Sequence, residues 1–148
     1  MAFAGKLAYL GMQDFKKLRV WHDSRRLTVA VYKLVRKFPE YEKFGLCSQL
    51  RRSVASIGAN IVEGFGQGSR ANTARCLQTS LSEAGETYHH LATALDLEYL
   101  TQSEFDEIEA QLEPLRGGIA ALFFKIRPPR RKPKETSPRP EGAASPPR

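Results

Sequence analysis

The chain has 148 residues, 41% hydrophobic and 26% charged, which is the size and apolar mass of one domain with its own core. Its formal charge of +7 and pI of about 9.6 favour acidic partners, such as nucleic acid or an anionic membrane surface. Two cysteines, Cys47 and Cys76, are too few for a disulfide scaffold and have no zinc-type spacing. The longest run free of Asp, Glu, Lys and Arg, residues 53–62, is about half of the roughly 20 residues that a membrane helix needs. The expected setting is therefore the cytoplasm, with reduced thiols and no membrane association.

Charge is unevenly distributed along the chain. Residues 15–75 carry 13 Lys and Arg against 4 Asp and Glu, residues 76–126 carry 2 against 9, and residues 127–148 carry 7 against 2. Residues 1–14 are neutral and mildly apolar, but Lys6 splits them and no cleavage pattern follows, so they read as an N-terminal extension and not a secretory signal. The last segment also holds seven of the nine prolines and no large apolar residue, and so cannot repay its ordering entropy. It reads as a disordered basic tail, which places the folded domain at residues 15–126.

Within that domain apolar residues recur at three and four, which predicts helices. The first carries Trp21, Leu27, Val31, Leu34 and Phe38 and stops at Phe38-Pro39, because a residue before proline disfavours the helical region. The second carries Leu46, Leu50, Val54, Ile57, Ile61 and Phe65, with Gly64, Gly66 and Gly68 suited to its end and to a turn. Leu77, Leu81, Ala84, Tyr88, Leu91 and Leu95 form a heptad-like seam on the third, which ends around Leu100. The fourth opens on Thr101-Gln102-Ser103-Glu104, a capping-box pattern, and runs through Phe105, Ile108, Leu112, Leu115, Ile119, Leu122 and Ile126. Pro114 is expected to kink or divide it. Four amphipathic helices with short connections are most simply buried as an all-α, antiparallel up-down four-helix bundle.

The second helix has more to bury than one bundle accommodates. Gln49, Ser53, Ser56, Asn60 and Glu63 form a narrow polar stripe, while Ala55, Ala59 and Val62 lie away from the large apolar stripe. Two packed sides on one helix point to oligomerisation, with small residues permitting close approach. Together with Val20-Trp21 and Phe38-Pro39, the string Leu46, Gln49-Leu50-Arg51-Arg52, Ser56 and Asn60-Ile61-Val62-Glu63-Gly64-Phe65 resembles the bacterial four-helix bundle family encoded in intervening sequences of 23S ribosomal RNA genes. That family is itself similar to the accessory variability proteins of diversity-generating retroelements. The resemblance covers about residues 15–126 and implies a four-helix protomer assembled into a ring, commonly a homopentamer, with a basic surface toward nucleic acid. Arg75, Leu77 and Glu86 also fit the pattern. Thr73, Cys76, Tyr88 and Gln67 depart from it, the last where relatives often carry a basic residue.

Candidate sites follow from residue chemistry. Lys16, Lys17, Arg19, Arg25, Arg26, Lys33, Arg36, Lys37, Arg51 and Arg52 are the expected phosphate-binding face across the first two helices. With no aromatic residues interleaved among those basic stretches, contact is expected with backbone or shape, and not through base stacking. Trp21, Gln49, Ser56, Asn60, Glu63, Gly64, Phe65 and Glu86 are the expected interface or family-motif residues. Asn60 and Glu63, one turn apart, are better explained as interface groups than as catalysts, with Arg51 or Arg52 of a neighbour as partner for Glu63. The glycines at 64–68 follow a helix and lack the Lys-Ser/Thr of a phosphate loop. Adjacent His89 and His90 point about 100° apart on a helix, poor geometry for chelation. No catalytic residue, metal or cofactor is expected. The expected function is non-enzymatic binding of RNA or another nucleic acid, the alternative being an adaptor that recruits a protein such as a reverse transcriptase.

Overall fold

The computed structural model describes residues 14–66 and 68–129. The segment before Asp14, Gln67 and the chain from Arg130 onward lie outside the described residues, and with them most of the expected N-terminal extension and basic tail. Four α-helices account for most of the rest: α1 (Arg19–Leu34), α2 (Leu46–Gly66), α3 (Arg70–Asp96) and α4 (Gln102–Ile126). Short 3₁₀ turns occupy Phe15–Lys17, Val35–Lys37 and Glu40–Glu42. Among the described residues there is no strand.

Local chemistry explains the boundaries. The chain leaves α1 through a 3₁₀ turn to Phe38, whose ψ of 155° is the extended backbone imposed by Pro39. Before α2, the Glu42 carboxylate accepts from the Leu46 N–H at 2.9 Å, satisfying a donor that the helix itself cannot pair. Ser69 caps α3, accepting from Asn72 N–H at 3.4 Å. The capping box of α4 forms as expected: Glu104 N–H donates to Thr101 Oγ1 at 3.2 Å and Thr101 N–H to Glu104 Oε2 at 2.8 Å.

Two expectations change. Pro114 does not divide α4, which runs unbroken from Gln102 to Ile126 with Pro114 on its exposed side, where water can solvate the carbonyl left without a donor. Gly64 does not end α2 either. It is buried two residues inside the helix end at Gly66, and Gly68, at φ +67°, makes the left-handed turn instead.

Each helix packs on its neighbours in sequence, and α4 closes on α1. The shared core contains Leu27 and Val31 of α1, Leu50, Val54, Ile57 and Ile61 of α2, Leu77 and Leu91 of α3, and Leu112, Leu115 and Ile119 of α4. Tyr88, placed on the apolar seam by its spacing, is instead exposed at the rim, edge-on to Phe105 with ring centroids 5.8 Å apart. The α2–α3 seam is polar at heptad intervals. Buried Thr73, Ser80 and Thr87 donate to Gly64 O (2.7 Å), Ile57 O (2.8 Å) and Ser53 Oγ (2.9 Å). Every buried side-chain nitrogen or oxygen among the described residues has a partner, so the seam carries no uncompensated polar group.

Candidate nucleic-acid interface

Helical spacing sets Leu27 and Val31 of α1 toward the core and His22, Arg25, Val29, Lys33 and Arg36 on the opposite side. All five are exposed. Arg25 lies over the Trp21 ring, 5.0 Å from its centroid. Among the described residues Lys16, Arg25, Lys33 and Arg36 form no ion pair, so their charge remains available to an anion in solvent.

The other six basic residues are engaged locally. Lys17 approaches Asp14 at 3.9 Å, and Arg19 approaches Asp23 at 3.7 Å, while Arg26 also pairs with Asp23. Lys37 pairs with Glu104 across the α1–α4 junction, and this contact, with the Thr101 N–H, holds the Glu104 carboxyl below the usual range. Arg51 donates to the Lys43 carbonyl at 3.0 Å. Arg52 lies between Glu86 and Glu83, the latter at 3.5 Å, and the Glu86 hydrogen bond raises its pKa. Desolvation pushes Glu86 up, but Arg52 and His90 outweigh it and the net shift is downward. The ten expected residues therefore do not form one uniform face. Four open cations lie on α1 or in the turns that flank it, and Arg52 is shared by acids of α3.

The motif residues of α2 also separate. Gln49 and Glu63 are exposed, Ser56 is half-buried, and Asn60 donates to the Ser56 carbonyl at 2.8 Å. Gly64 and Phe65 are structural. A Cβ at position 64 would lie 2.9 Å from Cys76 Cβ and 3.3 Å from Thr73 O, so glycine permits the close approach of α2 and α3. Phe65 is fully inside the core. Beside the polar stripe, Trp21, Ala55, Gly58, Ala59 and Val62 line a shallow groove of about 350 Å³ between α1 and α2.

Other chemistry is sparse. Among the described residues no three His, Cys, Asp or Glu side chains gather as a metal site. Cys47 and Cys76 are free and buried, and desolvation raises both thiol pKa values, which keeps them protonated and poorly nucleophilic. No helix among the described residues is long and apolar enough to cross a membrane.

One group was missed in the reading of the sequence. Tyr41 and Phe44, in the connection between α1 and α2, are 77% and 89% exposed. Lys43 lies between them, its Nζ 5.8 Å from the Phe44 centroid. The signal was present as Tyr41-Glu42-Lys43-Phe44, but it sits beside the basic helices in sequence and joins them only through the fold.

The chain is similar to a crystallised protein of unknown function from the S23 ribosomal protein family of Bacteroides thetaiotaomicron VPI-5482. The two share 29% identity and a TM-score of 0.64 over 70% of this chain and 97% of that one. No curated protein matches significantly. The profile of the 23S rRNA-intervening sequence protein matches residues 16–121, most of the bundle including α1, its open cations and the α2 motif, and on that match the chain belongs to the 23S rRNA-intervening sequence protein family.

Proposed function

We propose that this protein is a non-catalytic, homo-oligomeric helical bundle of the cytoplasm that binds RNA or another nucleic acid through the outer face of α1. The observation that carries the reading is the set of cations without ion pairs, Arg25 and Lys33 on α1 and Lys16 and Arg36 in the turns that flank it, around a helix whose opposite side is committed to the core. Phosphate is the ligand such a row suits, because lysine and arginine displace condensed counterions without reading base identity. The descending order of the α2–α3 pairings supports an antiparallel up-down bundle. The groove of small residues beside Trp21 supports a contact between copies, and a pentameric ring is the assembly proposed.

The test is RNA affinity against salt concentration for the wild type and for Arg25→Glu/Lys33→Glu/Arg36→Glu. Loss of three phosphate contacts should flatten the logarithmic slope by about 2 to 3. An unchanged slope would move binding off α1. Repeating the measurement on residues 1–126 assigns the share contributed by the tail.

The same groove favours a second reading, in which the protein is an adaptor for a partner protein such as a reverse transcriptase. Lys33→Glu/Arg36→Glu, at residues outside the groove, would then lose no partner, whereas a bulky residue in the groove would.

A further inference from the structure

We propose that the connection between α1 and α2 is a base-stacking platform for single-stranded nucleic acid, with Phe44 and Tyr41 as the stacking rings. The inference rests on the nucleic-acid reading above and specifies the form of the ligand. Phe44 and Tyr41 are the two most exposed large hydrophobic side chains among the described residues, and they lie three positions apart.

The connection is anchored on its inner side. Phe38 is buried and packs on Tyr99 with ring centroids 5.5 Å apart. Tyr99 donates to Glu42 Oε1 at 3.0 Å, and its hydroxyl is 3.2 Å from that of Tyr41. Glu42 also accepts from Leu46 N–H, Gly45 N–H donates to the Glu42 carbonyl at 3.0 Å, and Arg51 holds the Lys43 carbonyl. The Tyr41 ring rests edge-on to Tyr99, with centroids 6.4 Å apart, while most of its surface and nearly all of Phe44 lie in water, open to a stacking base.

The charge beside the rings favours a phosphate-bearing occupant. Arg36, Lys43 and Arg51 line a hollow of about 170 Å³ at the root of the connection. Glu40 shares this hollow, 3.6 Å from Lys43 Nζ, and Glu42 is committed to Leu46 and Tyr99. Lys37 is paired with Glu104. Arg36, in the turn after α1, makes no ion pair and continues the outer α1 row, roughly 16 Å from Arg25, into the hollow it shares with Lys43 beside Phe44. A strand whose phosphates follow that row would bring its unpaired bases to Tyr41 and Phe44. A duplex, with its bases already stacked, gains nothing from the rings.

The test compares an oligouridine strand with an RNA duplex of equal length, using full-length wild type, Phe44→Ala, Tyr41→Ala and Phe44→Trp. Phe44 is almost fully exposed and Phe44→Ala should retain the thermal melt of the wild type, whereas Tyr41→Ala also removes the contact with Tyr99 and is read against Tyr41→Phe, which keeps the ring. Phe44→Ala should weaken single-strand binding by about tenfold, leave duplex binding and the salt slope unchanged, and be rescued by tryptophan. Tyr41→Ala should show a smaller loss of the same selectivity. Equal single-strand affinity in wild type and both alanine variants would overturn the platform while leaving charge-driven binding intact. Absence of RNA binding by the wild type would overturn both readings. A change in oligomeric mass on Phe44→Ala would assign the rings to a contact between copies and would also overturn the proposal.

Discussion

Glu98 is the one non-glycine residue among the described residues with positive φ, at 58°. It closes α3 in a Schellman motif: Tyr99 N–H reaches the Ala94 carbonyl and Glu98 N–H the Leu95 carbonyl, each at 2.9 Å. A side chain there incurs the left-handed penalty that glycine avoids. Glu98→Gly should therefore stabilise the protein by about 0.5–1 kcal/mol, seen as a higher Tm in thermal melts. Gly64 makes the opposite case. Alanine at 64 would meet the Thr73 backbone and Cys76 Cβ, and overpacking of this kind costs about 1–3 kcal/mol. Gly58→Ala would meet only the side chain of Ser24, 2.7 Å from its Oγ, which can rotate at the expense of its bond to Trp21 O. Gly64→Ala should thus lower the denaturation midpoint more than Gly58→Ala. A glycine that reads as punctuation in the sequence is here a contact point, because the cause lies on α3.

At the scale of elements, ion pairs help to join the bundle: Lys37–Glu104 between the turn after α1 and the start of α4, and Arg52–Glu86 between α2 and α3. Both carboxyls have folded pKa values below the ordinary 4.5. The stabilisation they supply is complete above that unfolded value and is lost as pH falls through the lower folded values. Glu86→Gln/Glu104→Gln should accordingly melt below the wild type at pH 7, with the two melting temperatures converging in acid. Equal melts at every pH would show that solvent screening removes the effect. The helices themselves were legible from spacing, and so was the α4 capping box, since both depend on residues within a few turns. The unbroken passage of α4 through Pro114 was not. It depends on which side of the helix the proline occupies once Leu112 and Leu115 have turned inward.

For the whole molecule, the groove beside Trp21 remains open after the protomer has buried its own core. Ala59 lines it and is exposed. For the proposed contact between copies, the expected outcome is that full-length wild type has the mass of an oligomer by light scattering and that Ala59→Arg lowers it toward that of a monomer with helical content unchanged. Retention of the wild-type mass would place the contact elsewhere. The basic face shows how far charge can be read before folding. Counting located the excess in residues 15–75, but it could not distinguish Lys33 and Arg36, which form no ion pair among the described residues, from Arg52, which lies between Glu83 and Glu86 of α3.

Periodicity was enough for the four helical segments among the described residues, because each is set by neighbours a few residues apart. The availability of individual charges, the structural role of Gly64 and the gathering of Arg36, Lys43 and Arg51 around one hollow emerged only with packing. They depend on contacts between different elements, and side-chain spacing along a single helix carries no information about what lies opposite.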